Sequence, residues 1–240
     1  MKSPSIRKQL HSFANPAKAA ILQRFFKTGP GEYGEGDVFI GVVVPTLRKL
    51  AAQGRDLPME QVRLLLRSPI HEERLLALLI LVIKFQKGGE GEQGAVFRFY
   101  CRHLRWINNW DLVDLSAPQI VGGWLLDRDK TLLFKLASSK HLWSRRIAIL
   151  ATFAFLRQGR FNETFAIAKK LLHDPHDLIH KAVGWMLRET GKRNLAAEEK
   201  FLKIHSQKMP RTMLRYAIER FPKAKRKKYM RHAPGPGRRF

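Results

Sequence analysis

The stretch Leu178-Ile179-His180-Lys181-Ala182-Val183-Gly184-Trp185-Met186-Leu187-Arg188-Glu189 decides the fold class. Its apolar residues come in adjacent pairs: Leu178 and Ile179, Ala182 and Val183, Met186 and Leu187. Pairs repeating every four residues line one face of a helix, whereas a strand would alternate. Apolar residues at three- and four-residue spacing also mark Arg74–Phe85, Ser144–Leu156 and Thr212–Phe221 as helical. Turn signals divide these stretches at Gly54, Ser68-Pro69, Gly88-Gly89, Gly159, Asp174-Pro175, Gly191 and Pro210. What remains reads as helices of about 10–17 residues joined by short turns. The run Val38–Val44, closed by Pro45, is the one strand-like segment. The expected fold class is all-α.

A period runs through these helices. Those entering at Arg74, Asp111, Arg146 and Lys181 are offset by 37, 35 and 35 residues, each preceded by another helical stretch. A helix pair of that length suits a HEAT-like α-solenoid of stacked antiparallel helix pairs with a concave groove. The alternative is an irregular helical bundle with chance spacing. The expected organisation is one helical-repeat domain over residues 1–222 and a basic, partly disordered tail over 223–240.

The chain has 240 residues, 45% of them hydrophobic, enough for a buried core. Lys and Arg number 45 against 20 Asp and Glu, a formal charge of +25. Removing the eight basic residues of the tail from +25 still leaves the body at +17, so the basicity belongs to the folded part. Such a chain expects an anionic partner, nucleic acid first and an acidic membrane surface second. The single cysteine, Cys101, excludes an internal disulfide and a Cys-rich metal site. The longest apolar run, Leu75–Ile83, ends at Lys84, short of a membrane span. The basic start, Met1–Leu10, leads into no apolar segment of signal-peptide type. The expected location is the cytoplasm.

Chemistry concentrates in Asn108-Asn109-Trp110-Asp111-Leu112-Val113-Asp114. If helical, it puts Trp110 and Asp114 at i and i+4 on one face. Next come Trp143-Ser144-Arg145-Arg146 and, one repeat on, Lys181, Trp185 and Arg188 sharing a face. Each residue also has an ordinary reading: the tryptophans as core, Asp111 as an N-cap or first-turn acid, Asp114 as a solvated or paired acid. Arg145 and Arg146 would then be one exposed and one paired side chain. Their agreement of phase in a basic chain favours a ligand-facing surface.

The strings Asn109–Asp114, Trp143–Ala148 and Ile179–Glu189 resemble the signature segments of the DNA alkylation repair family of HEAT-like DNA glycosylases, the AlkD group. So do Phe26–Asp37 and Gly41–Leu50, and the resemblance spans roughly Asn15 to Arg226. It implies excision of cationic alkylated purines from double-stranded DNA by hydrolysis of the N-glycosidic bond. Asp114 matches the catalytic carboxylate, Trp110 and Trp185 the aromatics beside the damaged nucleotide, and Arg146 an arginine on the DNA backbone. Arg145, Lys181 and Arg188 join it as expected phosphate contacts. Phe25 stands where some members carry a tyrosine, which keeps the ring and loses the hydroxyl. The family is understood to work without flipping the base into a pocket. No cofactor, metal, membrane or obligate protein partner is implied, and a monomer is expected. The competing readings are a non-catalytic binder of structured DNA or RNA on the same scaffold, a protein–protein scaffold, and a membrane-surface protein.

Overall fold

The computed structural model describes residues 3–231, with side chains from Ser5 onward. The chain is all-helical, as its periodicity predicts, and no strand occurs among the described residues. It divides into two compact units, Met1–Ile120 and Val121–Phe240.

In the first unit the helices are α1 (Ser3–Ser12), α2 (Pro16–Phe25), α3 (Val44–Gln53), α4 (Met59–Leu66), α5 (His71–Lys87), α6 (Glu90–Arg102) and α7 (Trp110–Asp114). The apolar run Leu75–Val82 is hydrophobic all round, so α5 is buried on every side and α3, α4, α6 and α7 pack against it. Asn15 caps α2 through a 2.9 Å bond from the Lys18 N–H, and Pro16 occupies the first turn, where no donor is lost.

The strand-like run Val38–Val44 forms no strand. Val38 makes a single parallel bridge to Ile70, and the N–H groups of Ile40, Gly41 and Val42 donate instead to the buried Glu72 carboxylate. With these donors satisfied by a side chain of α5, the segment has no need of a sheet partner. Gly41 takes φ +85° here, and a Cβ would collide with the Asn15 carbonyl oxygen. The end of the run, Val44 and Pro45, is already the first turn of α3.

The helix expected from Asp111 is short. Helix α7 ends at Asp114, and after Ser116 the chain passes into a π-helical stretch, Pro118–Gly122, that opens with a residue unable to donate to the ladder.

The second unit contains α8 (Gly123–Leu125), α9 (Thr131–Ala137), α10 (Leu142–Arg157), α11 (Asn162–Lys170), α12 (Asp177–Gly191), α13 (Leu195–His205), α14 (Arg211–Ala217) and α15 (Lys223–Arg231). Helix α10 packs on α9, α11 and α12, and α12 on α13 and α14. Thus α10, α12 and α14 form a row whose members start at Leu142, Asp177 and Arg211. At Gly184 the α12 backbone approaches α14 so closely that a Cβ would strike the Met213 carbonyl. The helical reading of Thr212–Phe221 holds to Ala217, after which the chain tightens into a 3-10 turn, Ile218–Arg220. The first nine residues of the expected tail are helix α15, and residues 232–240 lie outside the described residues. Among the described residues no helix is long and apolar enough to cross a membrane.

Candidate functional site

In the first unit the site is built where α2 ends and α7 begins. Asn109 caps α7: its buried amide oxygen accepts the Trp110 N–H at 2.8 Å, and its amide nitrogen donates to Asp37 at 3.2 Å. Half-buried Trp110 lies flat against Phe26, ring centroids 5.0 Å apart and planes 11° apart. Phe26 in turn stacks on Phe39 at 4.8 Å. Phe25 meets the indole edge-on at 6.0 Å and is 60% exposed. Asp114, also half-buried, closes the same five-residue helix, which puts it on the Trp110 face. Nearby, the buried Tyr100 hydroxyl shares a hydrogen bond with Ser116 at 2.9 Å, and burial pushes its pKa upward. Burial also pushes the Cys101 thiol up to about 11, so it stays a thiol and not a nucleophile at neutral pH.

Beneath α7 is a buried cluster with no linear motif. The His71 ring, 1% exposed, places Nδ1 at 3.0 Å from Asp37 Oδ2 and Nε2 at 2.8 Å from Asp111 Oδ2. Arg74 donates to the other Asp37 oxygen at 2.5 Å and to the Ser68 and Pro69 carbonyls. Asp111 also accepts the Leu112 N–H at 2.8 Å, so the first-turn role read from sequence is one of two it has. Burial works to raise the Asp37 carboxyl, but hydrogen bonding from His71 and the Arg74 charge outweigh it and hold the group below its usual range. Sequence reasoning missed His71, Asp37 and Arg74. The available signal was a histidine at the start of a strongly apolar helix, where a solvated residue is out of place.

In the second unit α10 and α12 carry the expected DNA-facing residues. Arg145 is committed to Asp174, at 2.5 and 3.3 Å, and to the carbonyls of Ser139 and Lys140. Arg146 is only 5% exposed and donates to the Leu178 carbonyl at 2.6 Å. Along α12, half-buried Lys181, Trp185 and Arg188 share a face, as their spacing predicts, while Ala182, Val183, Met186 and Leu187 are buried. Each of the three meets an acid: Lys181 meets Asp177 at 2.8 Å, the Trp185 N–H donates to Glu189 at 3.3 Å, and Arg188 pairs with Glu219. Burial works to raise the Glu189 carboxyl, but Lys192 and Arg193 overturn this and hold it below its ordinary value. Phe153 lies 6.2 Å from the indole with the Arg157 and Arg193 guanidiniums over its ring, an aromatic patch ringed by cations. Among the described residues no group of three or more His, Cys, Asp or Glu side chains is arranged to hold a metal ion.

A family model described as DNA alkylation repair enzyme matches residues 6–221. The chain belongs to the DNA alkylation repair enzyme family. That membership assigns it to DNA repair. Among solved structures, a "Predicted DNA alkylation repair enzyme from Enterococcus faecalis" is similar to it, with a TM-score of 0.69 at 19% identity over 88% of this chain and 97% of that one. At such identity the likeness is one of fold. No curated protein matches the chain. For this member of the DNA alkylation repair enzyme family, the matched stretch includes every site residue named above and ends before α15.

Proposed function

We propose that the protein is a DNA glycosylase that removes cationic alkylated purines, of the 3-methyladenine and 7-methylguanine type, from duplex DNA. The observation that carries this reading is the pairing of an indole and a carboxylate, Trp110 and Asp114, at the two ends of one short helix in a family of alkylation repair enzymes. A purine alkylated on a ring nitrogen is already a cationic leaving group, so the chemistry needs little general acid. The demand falls on the deoxyribose, which becomes oxocarbenium-like as the glycosidic bond stretches. A carboxylate beside the anomeric carbon stabilises that charge and orients water for attack, the role given to Asp114. The Trp110 face, backed by Phe26 and edged by Phe25, attracts a cationic nucleotide with roughly 0.5–2 kcal/mol.

The cations of the second unit, Arg146, Lys181 and Arg188 with the lysines and arginines of α15, hold phosphates and position the duplex without reading sequence. Arg145, tied into Asp174, orders the start of α10 beside Arg146. Trp185 offers a second indole with the same preference for positive charge. Chemistry of this kind favours cationic lesions over neutral ones, which would need prior protonation.

The test is release of 7-methylguanine from duplex DNA by wild type and Asp114→Asn. We expect the variant to keep its fold and DNA affinity and to lose at least about a hundredfold in release, the scale of one preorganised electrostatic group. Near-normal release by the variant sinks the reading.

A further inference from the structure

We propose that His71 is a positioning residue: a doubly protonated imidazolium bridging Asp37 and Asp111 that fixes the start of α7, and with it the Trp110 indole and the Asp114 carboxylate. The inference rests on the glycosylase reading of Asp114 and adds a residue that touches neither DNA nor the reacting atoms.

The geometry assigns the charge. Both ring nitrogens face carboxylate oxygens, at 3.0 and 2.8 Å. A neutral imidazole has one N–H and one lone pair, so one of these contacts would set a lone pair against an ionised oxygen. Only the protonated ring donates to both. The charge balance agrees. The groups facing the ring are Asp37 from the loop before α3, Asp111 from α7 and Arg74 from its own helix. With His71 protonated the four groups sum to zero, and with it neutral an uncompensated negative charge is left in the core, a costly state. Burial on its own would lower the imidazole pKa, but Asp111 and then Asp37 outweigh it, against Arg74, and the pKa ends above the ordinary histidine value. Phe39 stacks on the ring at 4.4 Å, offering an aromatic face to a cation, and Phe26 packs beside it at 5.1 Å, tilted by 41°.

The lever follows from the length of α7. A helix of five residues is far below what holds itself in water, so its direction is set by tertiary contacts. Two of these converge on the cluster: Asn109, the cap, on Asp37, and Asp111, in the first turn, on His71. Asp114 lies three residues beyond Asp111 on this short rod. A second path runs through rings alone, His71 to Phe26 to Trp110. Freeing Asp111 lets α7 tilt, and a displacement of about 1 Å at a reacting group can cost on the order of a hundredfold.

The sign of the pH dependence follows. The bridge is fully made below the ordinary histidine pKa of 6.5 and is lost as pH rises through the higher folded value. Excision should therefore have an alkaline falling limb set by His71.

The experiment has two arms on the full chain. Nitrogen-15 NMR of labelled histidine, assigned with His71→Gln, reads ring protonation against pH. Single-turnover release of 7-methylguanine at saturating enzyme, less the enzyme-free rate, is measured across pH for wild type, His71→Gln and Asp114→Asn. We expect both His71 nitrogens protonated at pH 7 and an alkaline limb whose midpoint coincides with the His71 titration. His71→Gln should bind DNA within about twofold of wild type, release base at least about tenfold more slowly at pH 7, and lack the limb. A purely structural role would leave the pH profile unmoved in a folded variant. A ring carrying one proton at pH 7, a limb that does not coincide with the titration, or a folded His71→Gln with wild-type rate and profile overturns the inference. If His71→Gln does not fold, the coincidence in the wild type decides. If Asp114→Asn releases base normally, the glycosylase reading fails and this inference with it. An inert Asp114→Asn beside an unaffected His71→Gln removes this inference alone.

Discussion

Phe26 and Trp110 lie face to face, ring planes 11° apart and centroids 5.0 Å apart, so the indole's outer face is presented by a buried phenyl ring behind it. Phe25, the preceding residue, touches the same indole edge-on from an exposed position. The two rings separate packing from presentation. An aromatic pair is worth about 0.5–1.5 kcal/mol beyond its area, or roughly 2- to 10-fold in rate. Phe25→Leu should lose about that much in single-turnover excision with only a small fall in Tm, since its ring is exposed. Phe26→Leu should lose a similar factor and lower Tm as well, because its ring is core. Equal Tm for the two variants, or no rate loss in either, would contradict this division.

DNA binding should be indifferent to sequence and steep in salt. With six to ten phosphate contacts, affinity falls about 10³–10⁵-fold between 50 and 200 mM salt. A flat titration by fluorescence anisotropy, or a consensus sequence among bound duplexes, would give the charge of +25 another purpose.

The C-terminal helix and the buried arginine should differ in kind. Helix α15 carries six of the basic residues and docks through Lys225 on Glu199 and Tyr229 on Phe221. Truncation after Pro222 should weaken binding and spare most single-turnover excision at low salt. Arg146→Ala removes a guanidinium that is 5% exposed and bonded to the Leu178 carbonyl. It should lower Tm and, assayed well below that Tm, reduce excision more than the whole truncation does. The reverse ranking at saturating enzyme would move the critical contacts to α15.

Glu198 predicts a pH effect on stability in the opposite direction from most carboxylates. It is 1% exposed, and burial, helped by the Glu199 charge, pushes its pKa up to about 8 against the opposing Arg188 and Lys225. Among the described residues one of its oxygens has no hydrogen-bond partner. The folded chain thus holds it neutral where the unfolded chain, with a value near 4.5, has it ionised. Its contribution is whole below pH 4.5 and is lost as pH rises through about 8. Glu198→Gln should match wild type near pH 4.5 and melt higher at pH 9, by about 2–4 °C for each kcal/mol relieved. Parallel Tm curves for the two proteins would refute it.

Helicity was legible along the chain because a helix is a local object: pairs such as Ala182 and Val183 with Met186 and Leu187 mark its buried face without reference to any other segment. The shared face of Trp110 and Asp114 was legible for the same reason, since four residues in one helical turn need no partner to align them. So was the excess of positive charge, a property of composition. The identity of the neighbours was not. His71 reaches Asp37 and Asp111 across 34 and 40 residues, and nothing in the spacing between them marks the contact. The apolar run at Val38–Val44 carries the local signature of a strand, and it is the Glu72 carboxylate, delivered by a helix some thirty residues on, that takes its backbone donors. Helix α7 stops at Asp114, where the turn beyond it leads to Pro118, and its orientation is set by the buried charges under its first turn. Local periodicity fixes which segments coil, and only tertiary packing decides which charges they bury against one another, because burial is settled by partners distant in sequence.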